Sequence, residues 1–156
     1  MAYLYVDEPG RAEFHGRIMT AKLTSIIAQL CTEITAGTSA ETTIDGLGSG
    51  KDPALNPFVR VFIEGPANIA VEINKTYDVP DAQVIFVVEG QSVDKVRTIL
   101  TDELPALFLN GVSVALNALD VINMQPDTFI LPFSKEGKVW FIGVLYYNIV
   151  IRYVYT

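Results

Sequence analysis

One cysteine, one histidine and one tryptophan are all that 156 residues offer of the side chains that build disulfides, metal clusters and most nucleophilic triads. With Cys31 alone, no intrachain disulfide can close and no multi-thiolate cluster can assemble. With His15 alone, most zinc sites and every mechanism needing two imidazoles are excluded. Charge is scarce too, at 19% of residues, against roughly 25% in an average soluble domain. Its sign is wrong for gripping nucleic acid: eleven basic against eighteen acidic residues leave a formal charge of -7, which opposes a phosphate backbone. An acidic surface still suits a passage through which DNA slides without sticking, although acidity serves solubility in most domains. Met1 to Arg17 has no basic start leading into an apolar run and a small-residue cleavage site. A secretory signal is therefore not expected, and the chain reads as cytosolic.

Half of the residues are apolar, and a chain of this length suits one domain that buries roughly 70% of its unfolded surface. Scarce charge with abundant apolar residues fits either a thick core or a surface partly covered by partner subunits. Residues 1–156 are read as a single domain.

Ala2 to Val6 reads as an arm or short edge strand, stopped by Asp7, Glu8, Pro9 and Gly10. From Arg17 to Ala36, Leu23, Ile26, Ile27, Leu30, Cys31 and Ile34 recur at three- and four-residue steps, which predicts a helix that Gly37 ends. Gly37 to Asn56 is rich in Gly, Ser, Thr and Asp, without apolar period, and reads as a long loop (37–56) that is either functional or merely mobile. Phe58 to Glu64 alternates as a strand, with Phe58, Arg60, Phe62 and Glu64 on one face. Ile69 to Lys75 and Ala82 to Glu89 are two further strands, with Pro80 in the turn between them, and the three together suggest an antiparallel meander.

Ser92 is placed to cap a second helix, with Asp94 in its first turn and Val93, Val96, Leu100, Leu104 and Leu107 as its stripe. Pro105 should kink it or end its regular part, and Asn110 with Gly111 stops it. Val112 to Asn123 fits either strand or helix, and Thr128 to Phe133 is a short strand interrupted at Pro132. After a turn over Ser134 to Lys138, Val139 to Tyr155 is dense in tyrosine and β-branched residues and carries Asn148 and Arg152. It suits one long strand, bulged at Gly143, better than a membrane-spanning helix. The fold class expected is α+β: a mainly antiparallel sheet packed against two helices, with a long terminal strand.

Candidate chemistry is thin. GLGSGKD, from Gly46 to Asp52, resembles a phosphate loop only in its glycines: Asp45 and Asp52 stand where Gly and Ser or Thr are required, and Pro53 follows at once. His15 has no Gly-x-Ser-x-Gly nucleophile elbow to pair with. Cys31 lies on an apolar stripe, where a structural thiol outweighs a nucleophile. Asp7 with Glu8 and Asp102 with Glu103 are sequence neighbours pointing in different directions, as on a solvated face, although acid pairs drawn from distant positions are not readable from sequence. Tyr146, Tyr147, Tyr153 and Tyr155, with only Arg152 basic among them, fit sheet core or a subunit interface better than a base-stacking platform. No catalytic residue, cofactor or metal site is expected.

The order of elements resembles the tail terminator or tail-completion proteins of long-tailed bacteriophages. It is carried by the first helix from Arg17 to Ala36, the strand NPFVRVFIEG from Asn56 to Gly65, and the closing strand IGVLYYNIVIRYVY. The likeness covers most of the chain and rests on no motif, so no residue role is carried over; the long loop at 37–56 departs from it. The resemblance implies a non-enzymatic virion protein, made in the host cytoplasm, that forms a hexameric ring at the tail-neck junction. Such a ring caps the tail tube, contacts tube and neck proteins, and lets DNA pass without specific binding or any membrane. A tail-tube or head-tail connector subunit is the alternative within virion parts, and an enzyme of unknown class is the alternative outside them. Assembly is expected to use the loop at 37–56, including Asp45 and Lys51, and the terminal strand read as a sheet edge, with Tyr146, Tyr147, Arg152, Tyr153 and Tyr155.

Overall fold

The computed structural model describes residues 11–40, 42–45, 57–64, 70–71, 76–134 and 139–154, with side chains described over 21–40, 57–64, 82–134 and 139–152. Helix α1 spans Arg11–Gly37, starting earlier than its apolar stripe alone marks. Ile26, Leu30 and Ile34 are fully buried, and Leu23, Ile27 and Cys31 are partly buried beside them, as the three- and four-residue steps require. Each full burial stabilises by about 1.5–3 kcal/mol before conformational entropy is charged against it. Gly37 closes the helix where a Cβ would stand 2.2 Å from Leu107 Cδ2, so its missing side chain admits a neighbouring helix.

Strands β1 (Thr42–Asp45), β2 (Phe58–Glu64), β3 (Ala70–Val71), β4 (Thr76–Gly90), β5 (Val121–Ser134) and β6 (Phe141–Val154) form one sheet in the order β1-β2-β4-β6-β5, with β3 also on β4. The adjacent pairs β2–β4, β4–β6 and β6–β5 are antiparallel, whereas β1 lies parallel to β2. This is the α+β architecture expected, with four antiparallel strands packed against helices and a long C-terminal strand.

Three details differ from the sequence reading. Thr42–Asp45, inside the segment read as loop, is strand β1; four residues without apolar alternation carry no periodic signal, and only the pairing to β2 makes them a strand. Thr76 to Asp81, read as a turn around Pro80, is instead the first part of β4, with the register shifting between Val79 and Ala82. A bulge absorbs the proline that a regular central strand rejects. β2 and β3 pair with successive parts of the same β4, so they lie end to end along it rather than as two arms of a meander.

Gly90 leads through Ser92 into α2 (Val93–Thr98), whose first turn is capped by Ser92 Oγ accepting from Lys95 N at 3.4 Å. The helix widens into a π turn over Ile99–Glu103, where Leu104 N donates to Ile99 O, and resumes as α3 (Leu104–Leu107). Pro105 explains the widening: it has no N–H to donate four residues back, and its ring would strike the Thr101 carbonyl in a regular α turn. A third segment, α4 (Val114–Ala118), is capped by Ser113, and Asp120 then turns the chain into β5 with φ 70°, a left-handed conformation Asp tolerates better than most residues. The ambiguous Val112 to Asn123 is therefore helix first and strand after.

The helices cover one face of the sheet. Val59, Val61, Val84, Phe86, Val88, Leu145, Tyr147, Ile149 and Ile151 alternate toward α1 and α2 and are buried. Phe86 and Phe108 stack with centroids 5.8 Å apart, and Tyr147 meets both edge-on at 5.8 and 5.4 Å. Lys22 on α1 holds Asp120 at 2.6 Å, and Glu33 accepts from Ser113 Oγ at 3.0 Å, so α1 is tied to both ends of α4. Gly143, expected as a bulge of β6, pairs regularly with Val88. Its role is close approach: a Cβ there would lie 2.9 Å from Leu100 Cδ2. The bulge sits opposite, on β5, between Ile130 and Phe133.

Candidate assembly surface

The sheet has β6 as an interior strand, hydrogen-bonded to β4 along one side and β5 along the other. The expected edge at Val139 to Tyr155 is thus corrected: the outer strand is β5, because the chain returns through α4 and lays 121–134 outside its successor. Pro126 and Pro132 fit that place, since a proline lacks the N–H that a central strand spends on its second neighbour. Three register shifts, at Val121/Asn123, Pro126/Phe129 and Ile130/Phe133, further break the ladder.

Beyond Met124, β5 leaves the core. Residues 125 to 134 are exposed apart from half-buried Pro132, yet the run Thr128 to Ser134 is TFILPFS, with no charge. Phe129 pairs with Leu145 on the helix-covered face of the sheet, and Ile130 and Phe133 pair with Val144 and Ile142 on the opposite face. Phe129, Ile130, Leu131 and Phe133 keep 54%, 45%, 58% and 49% of their surface in contact with solvent, and Val139, just before β6, keeps 74%. A second exposed apolar pair, Leu109 at 80% and Val114 at 89%, flanks the Asn110–Gly111 turn between α3 and α4. Proline and bulges deter strand addition along β5.

The face of the sheet away from the helices carries a second feature. Arg60 on β2 and Glu89 on β4, diagonal neighbours through Val87, bring Nε and Oε2 to 2.8 Å. The two atoms are buried and too poorly aligned for a hydrogen bond, so the contact is one of charge. Trp140 Nε1 donates to the other carboxylate oxygen at 3.3 Å. Farther along the same face Gln83 Nε2 donates to Asn148 Oδ1 and Asp127 Oδ2, both at 3.1 Å, linking β4, β6 and β5. Among the described residues this carboxylate meets the arginine and the indole, and their geometry is that of a structural clamp.

The expected assembly residues do not converge on one surface. Asp45 ends β1 opposite Val61, and Lys51 and Tyr155 lie outside the described residues. Tyr146 is half-buried on the open face opposite Ile85, whereas Tyr147, one residue on, is 2% exposed in the core. Burial raises the Tyr147 phenol above its ordinary value near 10.0. Arg152 is exposed with its backbone N–H donated to Asp120 O at 2.9 Å, and Tyr153 pairs with Tyr77 inside the sheet. The tyrosine run therefore divides between two faces of an interior strand, as a period of two demands. The residues missed, Phe129 to Phe133, did carry a signal: an apolar strand with a proline at its fourth apolar position reads as an edge.

Among the described residues no group of His, Cys, Asp and Glu is placed to hold a metal ion. His15 is part of α1, with its side chain outside the described residues, as are Asp7 and Glu8. Asp102 is exposed, and Glu103 accepts from Ser39 N and Oγ at 3.1 and 2.8 Å, tying the π turn to the end of α1. A shallow depression along α1, lined by Cys31, Thr32, Thr35 and Ala36, has its threonine hydroxyls spent on backbone carbonyls of the same helix. None of its described helices is long and apolar enough to cross a membrane. No family model matches the chain, and no curated protein matches it.

Proposed function

We propose that this protein is a structural subunit of a long-tailed phage virion, assembling into a ring that closes the tail tube and joins it to the neck. The observation that supports the reading most is the uncharged, half-exposed apolar run Thr128 to Ser134 of β5, which a solitary subunit leaves in water. The formal charge of -7 suits a ring through which DNA passes without adhering. The ring lies between tube and neck proteins, needs no cofactor, and is made in the host cytoplasm before joining the virion.

Light scattering on the purified chain, with negative-stain images of any large species, tests the ring; a closed assembly of about six copies is expected. Antibody labelling of virions then tests its place, and label at the tail-neck junction is expected. Label along the whole tube would move the subunit to the tube itself, and a monomer with label nowhere on the virion would end the reading.

A further inference from the structure

We propose that Asn110 is a site of spontaneous covalent change, where the side-chain amide is lost through a cyclic imide and replaced by aspartate and isoaspartate. The proposal goes beyond the assembly reading above and does not depend on it.

Of the asparagines in the chain, only Asn110 precedes a glycine. A β-carbon on the following residue would crowd the backbone nitrogen that has to attack, and glycine has none. The space around Gly111 is open as well: a Cβ placed there would meet nothing within 4 Å. Both residues are exposed in the turn between α3 and α4, beside exposed Leu109. Gly111 has φ 90°, a conformation that strains any residue with a side chain. The turn therefore holds in place the two residues that react.

The other described asparagines are situated differently. Asn117 lies in α4 before Ala118 and donates its amide to Val121 O at 3.3 Å. Asn123 precedes Met124 in β5, and Asn148 precedes Ile149 in the interior strand β6, its Oδ1 accepting from Gln83. Each sits in a regular element and is followed by a residue with a side chain.

The step balances with water and hydroxide alone. The Gly111 backbone nitrogen gives its proton to hydroxide and attacks Cγ of Asn110; a C–N bond forms, the Cγ–Nδ2 bond breaks, and ammonia leaves with a proton taken from water. Ring closure is intramolecular, since the two groups are neighbours in the chain. Water then opens the imide, at Cγ to give aspartate or at the main-chain carbonyl carbon to give isoaspartate, whose backbone is longer by one methylene. Nothing is oxidised or reduced. One contact slows the reaction: Gly111 N donates to Phe108 O at 3.1 Å, and this bond must open first. Exposed turns open locally at little cost, so the folded chain reacts more slowly than the unfolded one and still reacts. Either product places a negative charge in the run Leu104 to Leu119, which has none. The longer backbone falls just before Ser113, which caps α4 at Leu116 N and donates to Glu33.

The purified chain, folded or unfolded in urea, is held at mildly alkaline pH and body temperature, then digested and read by mass spectrometry with fragmentation that locates the change. Methyl transfer by an isoaspartyl methyltransferase counts the isoaspartyl product. Residue 110 of the folded chain is expected to gain the mass difference between a carboxyl and an amide, more slowly than in urea, with isoaspartate predominating. Asn117, Asn123 and Asn148 should stay intact, and Asn110→Gln should show no gain at residue 110. A folded chain unchanged at residue 110 over the time in which the unfolded chain converts would overturn the proposal. Conversion of Asn117, Asn123 or Asn148 as fast as that of Asn110 would overturn it equally, because the turn would then select nothing.

Discussion

Replacing Arg60 by methionine should cost far more than a surface charge is worth. Glu89 has a side chain only 6% exposed, against 30% for Arg60. Removing the guanidinium strands the carboxylate, with the Trp140 indole as its remaining described partner. Breaking a fully buried pair costs about 3–5 kcal/mol; Arg60 being nearly a third in water, solvent screens part of that, and roughly 2–3 kcal/mol is expected. In a domain of this size each kcal/mol moves Tm by about 2–4 °C, so Arg60→Met should melt roughly 5–10 °C lower. The double variant Arg60→Met/Glu89→Leu leaves no charge unpaired and should return to within about 1 kcal/mol of the wild type. Urea titration followed by circular dichroism gives all four corners of the cycle, and Trp140, the single tryptophan, reports locally by its emission. A loss below about 0.5 kcal/mol for Arg60→Met, with no coupling between the sites, would refute the desolvated clamp.

Gly143→Val drives a side chain into Leu100, 2.9 Å from the ideal Cβ position, and should destabilise by about 1–3 kcal/mol; adding Leu100→Ala should restore part of that loss, and additive losses in denaturant titrations would show that the two do not meet. Tyr147 has its phenol raised by burial above 10.0. Its contribution is fully present below the unfolded value and fades as pH rises through the folded one. Stability of the wild type should therefore fall above pH 10 more steeply than that of Tyr147→Phe, measured by urea unfolding at each pH, and equal slopes would place the hydroxyl in water.

Much of the subunit can be read from local pattern. α1, the cap at Ser92 and the strand Phe58–Glu64 follow from apolar spacing and a hydrogen-bonding side chain at the right offset. Pairing is another matter. Nothing local in Val139 to Tyr155 distinguishes an edge strand from an interior one, and the answer depends on where Val121–Ser134 lands. The clamp is equally hidden. Alternation sets Arg60 on one face of its strand, but it meets Glu89 only because β2 and β4 adopt their particular register. The apolar strand at Phe129 to Phe133 was visible in composition, and its exposure was not, since exposure is a property of what fails to pack against it. Asp45 and Tyr147 show the same limit from the other side: suitable residue types, placed by tertiary pairing at the end of a short parallel strand and in the core.

The strand order also sets a timetable for synthesis. β4 pairs on one side with β2, about twenty to thirty residues earlier, and on the other with β6, about sixty residues later. Its apolar face, with Val84, Phe86 and Val88, is therefore complete well before the strand that must cover its flank exists. At roughly 5–20 residues per second on the ribosome, the wait is roughly 3–12 s. Early in that interval the nascent chain can offer β4 only α1 and β2 as shelter; α2 and Phe108 reach its apolar face as they emerge, but the flank that β6 pairs stays open to the end, so the first half of the molecule is the part that a chaperone would be expected to hold.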